Sequence, residues 1–376
     1  MTITRRSLIA FAATLALAGC AKHESSQEIA IRIGSIAPLT GPQSHLGKDN
    51  DNGVRLAADE INASGLVIGG SKAKIVILSE DDQADPKTAT IVAQKLVDEG
   101  VNGVIGDLNS GTSIPASKIY SDAGIAEVSP SATAIAYTNQ GYKTAFRVIT
   151  NDRQQGHALA EFAARTLKAG SIAIIDDRTA YGQGLADEFE KNVKASGARI
   201  VAREYTSDHA TDFTAILTSI KGKKPDLIFF GGMDAQAGPM MKQIRNLGMK
   251  PEFLGADGSR SPEFIRLAGE SAEGAYASSP GLPLEKMPGG KAFIEKFEAK
   301  YGKIQLYSPY CYDATMALVD AMKKANSPDP KKYLPFLAQT NLTGVTGPIV
   351  FDSRGDIKEG AVTLYQVRNG NWVALH

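Results

Sequence analysis

The chain has 376 residues, of which 43% are hydrophobic and 22% are charged, and its 41 basic residues equal its 41 acidic residues. This balance excludes a strongly basic face for nucleic acid and a polybasic patch for lipid headgroups. Single hydrophobic cores stop growing at about 250–300 residues, so the length predicts two domains.

The first twenty residues predict an export signal. The pair Arg5-Arg6 precedes an almost unbroken apolar run, Ser7–Ala18, and Gly19 leads directly to Cys20. A basic start, a short apolar segment and a small-residue cleavage site are typical of a secretory signal, and a cysteine at the cut resembles a bacterial lipobox. We expect residues 1–19 to be removed, Cys20 to be lipidated and residues 20–28 to form a tether. The protein would then lie in the periplasm or at the cell surface, anchored to a membrane; the alternative is an ordinary signal peptide with a chance cysteine.

Short β-branched runs alternate with helical patterns in the first half of the mature chain. The pattern predicts strands over Ile29–Ala37, Lys74–Leu78, Val101–Gly106 and Ile125–Val128. It predicts helices that include Val54–Asn62, Pro86–Gly100 and Ser117–Ala123. Asp85 suits a helix N-cap and Pro86 the first helical position. Strand, helix and strand in alternation, with apolar strands, indicate a parallel sheet covered on both faces.

The same rhythm restarts after Arg147. Strands are predicted over Ser171–Asp176, Arg199–Glu204 and Asp226–Phe230, with helices over Gly184–Ser196, Phe213–Lys221 and Met240–Leu247. The last part predicts helices Lys291–Tyr301 and Tyr312–Ala325 and strands Ile349–Phe351 and Ala361–Val367, which we expect to complete the first two units. Two such sets predict an α/β protein with two doubly wound parallel-sheet lobes.

Ligands of open parallel sheets bind beyond the carboxyl ends of the strands, so the loops there are the candidate site. One such loop, residues 107–113, is rich in hydroxyl groups and leads into a helix, and a second, residues 129–133, has the same character. Free amides at a helix N-terminus attract anions, so the two loops could share one carboxylate. The alternative is that Thr112 or Ser113 merely caps the helix.

Loops of the second half offer a carboxylate and aromatic groups. Tyr181, Met233 and Asp257 all follow predicted strands. Together with the donors of the first half they would suit a zwitterion held between two lobes. Taken by itself, Asp257 is better interpreted as a solvated loop acid than as a ligand contact.

Catalytic and metal-binding patterns are weak. The five histidines, His23, His45, His157, His209 and His376, show no metal-ligand spacing. Neither a Gly-x-Ser-x-Gly elbow nor a phosphate-binding glycine loop occurs. Cys311, the one thiol left after Cys20, fits a packed small hydrophobe better than a nucleophile. Asp81-Asp82 could mimic paired acids, but Asp85-Pro86 after them makes helix capping the better interpretation. We expect no enzyme activity, no cofactor and no metal.

A family resemblance is carried by several segments in a fixed order. They are Gly34–Pro42, Asp81-Asp82 with Asp85-Pro86, Val104–Gly106, Pro115–Ser117, Ser129-Pro130 with Ala132-Thr133, Asp152 with Gln155-Gly156, Tyr181-Gly182, Gly231-Gly232 and Ala268–Gly274. The chain resembles the leucine/isoleucine/valine-type periplasmic solute-binding proteins of ABC importers over nearly all of its mature length.

The resemblance implies the type I periplasmic-binding-protein fold, in which two lobes joined by three crossings close on a ligand. The crossings would fall near Asn151, Pro280 and Gly355. The N-terminal lobe would comprise residues 29–150 plus 281–355, and the C-terminal lobe residues 151–280 plus 356–376.

The resemblance also implies the site residues. Ser110 and the loop Ser131-Ala132-Thr133 would hold the α-carboxylate of an amino acid, Asp257 would hold its α-ammonium group, and Tyr181 would close over it. Contacts to the ligand side chain would come from Leu46, Asn109, Met233 and Tyr307.

Three departures from the family pattern affect specificity. Asp257 stands where leucine-type members have the longer glutamate, Leu46 and Met233 replace aromatic residues, and Asn109 places an amide beside the pocket. The resemblance therefore implies a monomeric carrier of a branched-chain or related amino acid that docks on an ABC permease. Two alternatives remain open: a ligand sensor that signals to a membrane partner, and an amidase-like hydrolase that uses Ser110 or Asp257.

Overall fold

The computed structural model describes residues 28–375, and the predicted signal and Cys20 lie outside them. The first part of the chain forms β1 (Ile29–Ala37), α1 (Ser44–Ala63), β2 (Val67–Ile68), β3 (Ser71–Asp81), α2 (Pro86–Asp98), β4 (Gly103–Ile105), α3 (Ser110–Ala123), β5 (Glu127–Ser129), α4 (Ile135–Asn139) and β6 (Ala145–Arg147). These strands make a six-stranded sheet in the order β2-β3-β1-β4-β5-β6. All its pairings are parallel except that of β2 with β3.

The second sheet has seven strands. Its part of the chain forms α5 (Asp152–Glu161), β7 (Ser171–Asp176), α6 (Ala180–Ser196), β8 (Arg199–Tyr205), α7 (Thr214–Lys223), β9 (Leu227–Gly231), α8 (Asp234–Asn246), β10 (Glu252–Gly255), α9 (Pro262–Ala268) and β11 (Tyr276–Pro280). The chain then forms α10 (Gly290–Tyr301), α11 (Ser308–Lys324), α12 (Pro330–Ala338), β12 (Asn341–Thr343), β13 (Pro348–Val350), β14 (Val362–Arg368) and β15 (Asn371–Ala374). The strand order is β15-β14-β11-β10-β9-β7-β8.

The chain crosses between the two lobes three times. It passes from β6 into α5, returns after β11 to α11, which packs against α1 and β4, and crosses again before β14. This confirms the predicted fold class of two doubly wound α/β lobes. The exact lobe boundaries stay a prediction.

Two strand predictions need correction. The strand predicted as Ala361–Val367 does join the second sheet, but β14 and β15 pair antiparallel, so that sheet is not wholly parallel. The strand predicted as Ile349–Phe351 joins neither large sheet, because it pairs with β12 in a separate two-stranded hairpin.

Four helices begin several residues earlier than predicted, α3 at Ser110, α6 at Ala180, α8 at Asp234 and α11 at Ser308, and α1, which includes the predicted Val54–Asn62, begins at Ser44. Glycine and proline within them argue against helix by propensity, but packing overrides this. Gly53 lies where α1 meets the start of α11, and a Cβ there would collide with the Ser308 carbonyl. The predicted cap of α2 is confirmed, since Asp85 accepts a hydrogen bond of 2.7 Å from the Thr88 amide.

Candidate functional site

A narrow cavity lies between the two sheets, beyond the carboxyl ends of their strands. Its volume is only about 10 Å³, room for a single water molecule. The residues that line it are Leu108, Asn109, Ser110, Ser131, Tyr181, Met233, Asp257 and Tyr307. All of them except Asn109 are buried. Both lobes therefore contribute to one narrow space lined by polar and apolar side chains.

The first lobe presents the start of helix α3 to this cavity. Asn109 occupies the N-cap position with an extended backbone, and its side chain makes no capping hydrogen bond. The hydroxyl of Ser110 accepts a hydrogen bond of 3.1 Å from the Ala134 amide, so its own proton is available to an acceptor. Helix dipole and hydroxyl proton together suit a carboxylate at this end.

The alternative in which Thr112 or Ser113 caps α3 is wrong. Both hydroxyls donate to the Asn109 carbonyl, at 2.8 and 3.0 Å, so neither side chain takes a free amide of the first turn. The Ser113 hydroxyl also lies 3.1 Å from the Asp107 carbonyl. These bonds fix the loop that precedes α3.

Arg147 fixes the neighbouring loop and was not predicted. Its side chain is fully buried. It donates to the carbonyls of Ala132 and Ala134 at 2.9 and 2.8 Å, and its Nε lies 3.0 Å from Asp356 Oδ1. Arg147 thereby ties the loop that carries Ser131 to the third crossing. A lone arginine at the end of a strand gives no sequence signal for such a role.

The second lobe supplies Asp257, whose exposed fraction is 1%. Its two carboxylate oxygens accept hydrogen bonds from the hydroxyls of Tyr181, at 2.7 Å, and Tyr307, at 2.6 Å. Burial and the charge of Asp257 raise the pKa of both tyrosines well above the ordinary value, so both remain donors. Asp257 is a buried carboxylate facing an enclosed space, and this suits a cation.

Close backbone approach brings Tyr181 and Met233 against the turn that follows Asp257. The amide of Gly258 donates to the Tyr181 hydroxyl at 2.9 Å. A Cβ on Gly258 would lie only 2.7 Å from the Met233 sulfur. Glycine is required here by space, since Cβ atoms essentially never approach a neighbour so closely.

Tyr307 reaches Asp257 from the first lobe because Asp49 holds its backbone. The Asp49 carboxylate, on α1, accepts hydrogen bonds from the amides of Tyr307 and Ser308, both at 2.9 Å. It also accepts from the amides of Gln305 and Leu306. Burial raises the pKa of Asp49, and these amide bonds oppose the rise. Asp49 is thus a positioning residue that sequence reasoning missed.

A second pair of residues joins the lobes beside the cavity. His45 Nε2 on α1 lies 2.7 Å from Asp234 Oδ2 at the start of α8. Burial lowers the pKa of His45, but the hydrogen bond to Asp234 and the charges of Asp234 and Glu263 outweigh it, and the net direction is upward. With the contact between Tyr307 and Asp257, this pair defines a closed arrangement of the lobes.

Asp152 is a further buried carboxylate near Asp257. Burial raises its pKa to about 7, and the charge of Asp257 adds to the rise. Within residues 28–375, neither of its oxygens has a hydrogen-bond partner. Asp152 begins α5, directly after the first crossing.

Seven of the ten predicted ligand-binding residues line the cavity. Leu46, Ala132 and Thr133 do not. Leu46 lies in the hydrophobic core. The Ala132 amide donates to the Ser129 hydroxyl at 3.0 Å, and the Thr133 carbonyl accepts from the Asp152 amide at 2.9 Å. The roles of all ten residues stay predictions.

Chemical groups for catalysis or metal binding are few around the cavity. Its lining contains no histidine, cysteine or lysine. In the part of the chain that the structure describes, no group of three or more His, Cys, Asp or Glu side chains is placed to hold a metal ion. Cys311 is buried, and burial raises its pKa well above the ordinary value, as expected of a packed thiol. Over residues 28–375 no helix is both long and apolar enough to cross a membrane.

Comparisons with known proteins agree with this architecture. The sequence pattern of the family described as periplasmic binding protein matches residues 30–371. A leucine-, isoleucine-, valine-, threonine- and alanine-binding protein of Pseudomonas aeruginosa is 33% identical, over 94% of each chain. A leucine-binding protein of Thermotoga maritima superposes with a TM-score of 0.85 at 29% identity, covering 92% of this chain and 98% of that one. A Streptococcus pneumoniae branched-chain amino acid binding protein in complex with isoleucine gives a TM-score of 0.83 at 28% identity, with the same coverage.

Proposed function

The chain belongs to the periplasmic binding protein family, and we propose that it is the lipid-anchored solute-binding subunit of an ABC importer that carries an α-amino acid. The amino-acid assignment rests on one observation, which is that a site suited to an anion and a site suited to a cation line the same cavity. The uncapped start of α3 with Ser110 stands on the first lobe, and the buried Asp257 stands on the second. A zwitterion would satisfy both at once.

The cavity is built for binding and release rather than for turnover. Ser110 lacks a histidine partner in the cavity lining, which supports binding over nucleophilic catalysis. Because contacts come from both lobes, a ligand would bind the closed arrangement more tightly than an open one, which is the condition for ligand-driven closure. The closed protein would then present both lobes to a permease as a monomer.

The relatives support an amino acid as the cargo. The Pseudomonas relative is named for five amino acids, and the Streptococcus structure holds isoleucine. Charge-assisted hydrogen bonds contribute about 1.5–3 kcal/mol each, and a micromolar dissociation constant corresponds to about −8 kcal/mol. A few such contacts together with burial of the apolar part of the ligand, offset by the cost of association, would reach that range.

The test of the amino-acid assignment is a thermal-shift screen followed by calorimetry. The purified chain is unfolded, stripped of ligand and refolded, and is then tested against L-amino acids, their α-amides and matching carboxylic acids without the amine. We expect stabilisation by α-amino acids alone, because the other compounds each lose one charged end. Stabilisation by carboxylic acids that lack the amine would contradict the role proposed for Asp257.

The anchor has a separate test. Replacement Cys20→Ser removes the acceptor thiol, and we expect the protein to move from the membrane fraction to the soluble extracytoplasmic fraction. Replacement of the buried Cys311 by serine serves as the control and should leave the protein in the membrane fraction. A Cys20→Ser protein that stays membrane-bound would contradict lipid anchoring.

A further inference from the structure

Asn109 carries the one unpaired polar atom among the described residues that line the cavity. Its Nδ2 donates a hydrogen bond of 2.8 Å to Gln43 Oε1. Its Oδ1 is buried and has no partner within residues 28–375. The other polar side chains of the lining are absent from the set of buried, unpartnered groups. Asn109, a residue of the cavity lining, therefore carries an acceptor that the protein itself leaves unsatisfied.

A buried acceptor without a partner is costly, and buried polar groups in proteins almost always find one. A ligand that brings a donor to Asn109 removes this cost, whereas a ligand with a purely aliphatic side chain leaves the Oδ1 atom unpaired in the bound state. Sites built to bond a hydroxyl reject analogues that lack it far more strongly than they reject a missing methylene.

The cavity is too small in this closed arrangement to hold an amino acid. Its volume of about 10 Å³ is far below the roughly 300–1,000 Å³ typical of small-molecule pockets. Met233 lies close to the turn after Asp257, and two tyrosine hydroxyls bond the Asp257 carboxylate. The lobes must therefore part to admit a ligand, and the choice among amino acids rests on the donor that meets Asn109.

We propose that this cavity selects an α-amino acid whose side chain carries a hydrogen-bond donor, of the serine or threonine class, and that Asn109 is the specificity-determining residue. This inference rests on the proposed function, because it assumes that Ser110 and Asp257 hold the α-carboxylate and α-ammonium groups. Aliphatic branched-chain amino acids fill the same space but leave Asn109 Oδ1 unpaired.

The test compares L-threonine with L-valine by calorimetry on the purified, ligand-stripped chain. The two ligands have nearly the same shape and differ by a hydroxyl in place of a methyl group. We expect threonine to bind about tenfold or more tightly than valine, and serine to bind more tightly than alanine. In Asn109→Leu the threonine-to-valine ratio should fall to one or below, while Asn109→Asp, which keeps an acceptor oxygen, should preserve the preference. The control is Asn139→Leu, at an exposed position, which should leave the ratio unchanged.

The outcomes separate this inference from the proposed function. Valine or leucine binding as tightly as threonine, or a ratio that Asn109→Leu does not change, would overturn the inference and leave the amino-acid carrier intact. Binding of no α-amino acid would overturn both. The comparison of ligands on the unaltered chain decides the matter even if the Asn109 variants do not fold.

Discussion

Arg147 and Asp356 form a buried ion pair across 209 positions of sequence, with Nε and Oδ1 3.0 Å apart. Arg147 ends the last strand of the first sheet, and Asp356 belongs to the third crossing, so one guanidinium joins a lobe to the hinge region. The same group holds the carbonyls of Ala132 and Ala134 beside the cavity. Hinge geometry and loop geometry therefore depend on one side chain.

We predict that Arg147→Met lowers the free energy of unfolding by about 3–5 kcal/mol, because it leaves the Asp356 carboxylate unpaired away from water. Ligand affinity should fall as well, since the loop of Ser131 loses its tether. Urea denaturation and calorimetry measure the two effects. The control is Arg165→Met, at a side chain 80% exposed that pairs with Glu161 on the surface. A loss of stability no larger than that of the control would contradict the tethering role.

Asp257→Asn tests the cation site with little change in shape. The amide can still accept from one of the two tyrosine hydroxyls, but it carries no charge to pair with an ammonium group. We expect the loss of a buried charge pair to weaken amino-acid binding by about 2–5 kcal/mol, while the thermal midpoint without ligand changes little. Asp212→Asn, at an exposed loop position, is the matched control. Unchanged affinity in Asp257→Asn would remove this residue from the site.

His45 and Asp234 predict a pH dependence of closure. The pKa of His45 is raised in the closed arrangement, so the closed protein holds the His45 proton more tightly than the open protein does. The stabilisation is complete below the ordinary histidine value of 6.5 and is lost as the pH rises through the raised pKa. We expect ligand affinity to fall about two- to fivefold over this window, as befits a partly exposed pair.

The histidine contribution is isolated by comparing variants at several pH values. Asp152, with a pKa of about 7, titrates in the same window and acts in the opposite direction, because its ionisation favours a nearby ammonium group. His45→Gln removes the contribution of His45 to the pH dependence and keeps that of Asp152. His209→Gln, at a side chain that is 90% exposed, keeps both contributions. Dissociation constants measured from pH 5.5 to 8.5 should therefore show a smaller loss of affinity with rising pH for His45→Gln than for His209→Gln. Identical profiles for the two variants would contradict a role for His45 in closure.

Three buried acids in the first lobe, Asp82, Asp107 and Glu127, predict a pH dependence of stability. Burial raises the pKa of Asp82 to about 6, and burial together with the neighbouring acids raises those of Asp107 and Glu127 well above their ordinary values. Neither oxygen of Glu127 has a partner among the described residues. The folded state holds these protons more tightly than the unfolded chain, so stability falls as the pH rises above about 4.5, the ordinary glutamate value.

Glu127→Gln replaces one of these three acids by an amide that does not titrate. We expect it to raise the free energy of unfolding at pH 8 by about 1–2 kcal/mol and to change it little at pH 4.5. Urea denaturation at the two pH values measures the difference. Glu295→Gln, on an exposed face of α10, should show no such pH-dependent gain. Equal effects of Glu127→Gln at both pH values would contradict the assignment of a proton to this site.

Local pattern was sufficient for most of the fold. Strands β1 and β7 have the predicted bounds because their runs of β-branched residues strongly favour a strand. Strand β11 was missed, since its Ser-Ser-Pro end has low strand propensity and is held by pairing with β10 and β14. The start of α3 was missed for a similar reason, because tertiary contacts decide where that helix begins.

The candidate site was predictable where it depends on strand ends and unpredictable where it depends on distant pairs. Asn109, Ser110 and Asp257 follow strands, so topology alone brings them to one cavity. His45 and Asp234 lie 189 positions apart, and no local pattern marks either residue as a partner of the other. Leu108 lines the cavity but was passed over, because a buried apolar residue beside a strand resembles any other core position.

Ser110 and Ser113 form a matched pair for the last prediction. Both are buried hydroxyls in the first turn of α3, but Ser110 lines the cavity and Ser113 does not. Ser110→Ala removes a hydroxyl proton that would reach the ligand carboxylate, and we expect affinity to weaken by about 1–3 kcal/mol. Its bond from the Ala134 amide is also lost, so a small drop in thermal midpoint should accompany it.

Ser113→Ala should show the reverse balance. Its hydroxyl bonds only the carbonyls of Asp107 and Asn109, so the cost falls on folding and the ligand loses no contact. Calorimetry and thermal unfolding of the two variants thus separate binding from stability within one helical turn. Equal losses of affinity in both variants would mean that the turn as a whole, rather than the Ser110 hydroxyl, determines binding at this end of the cavity.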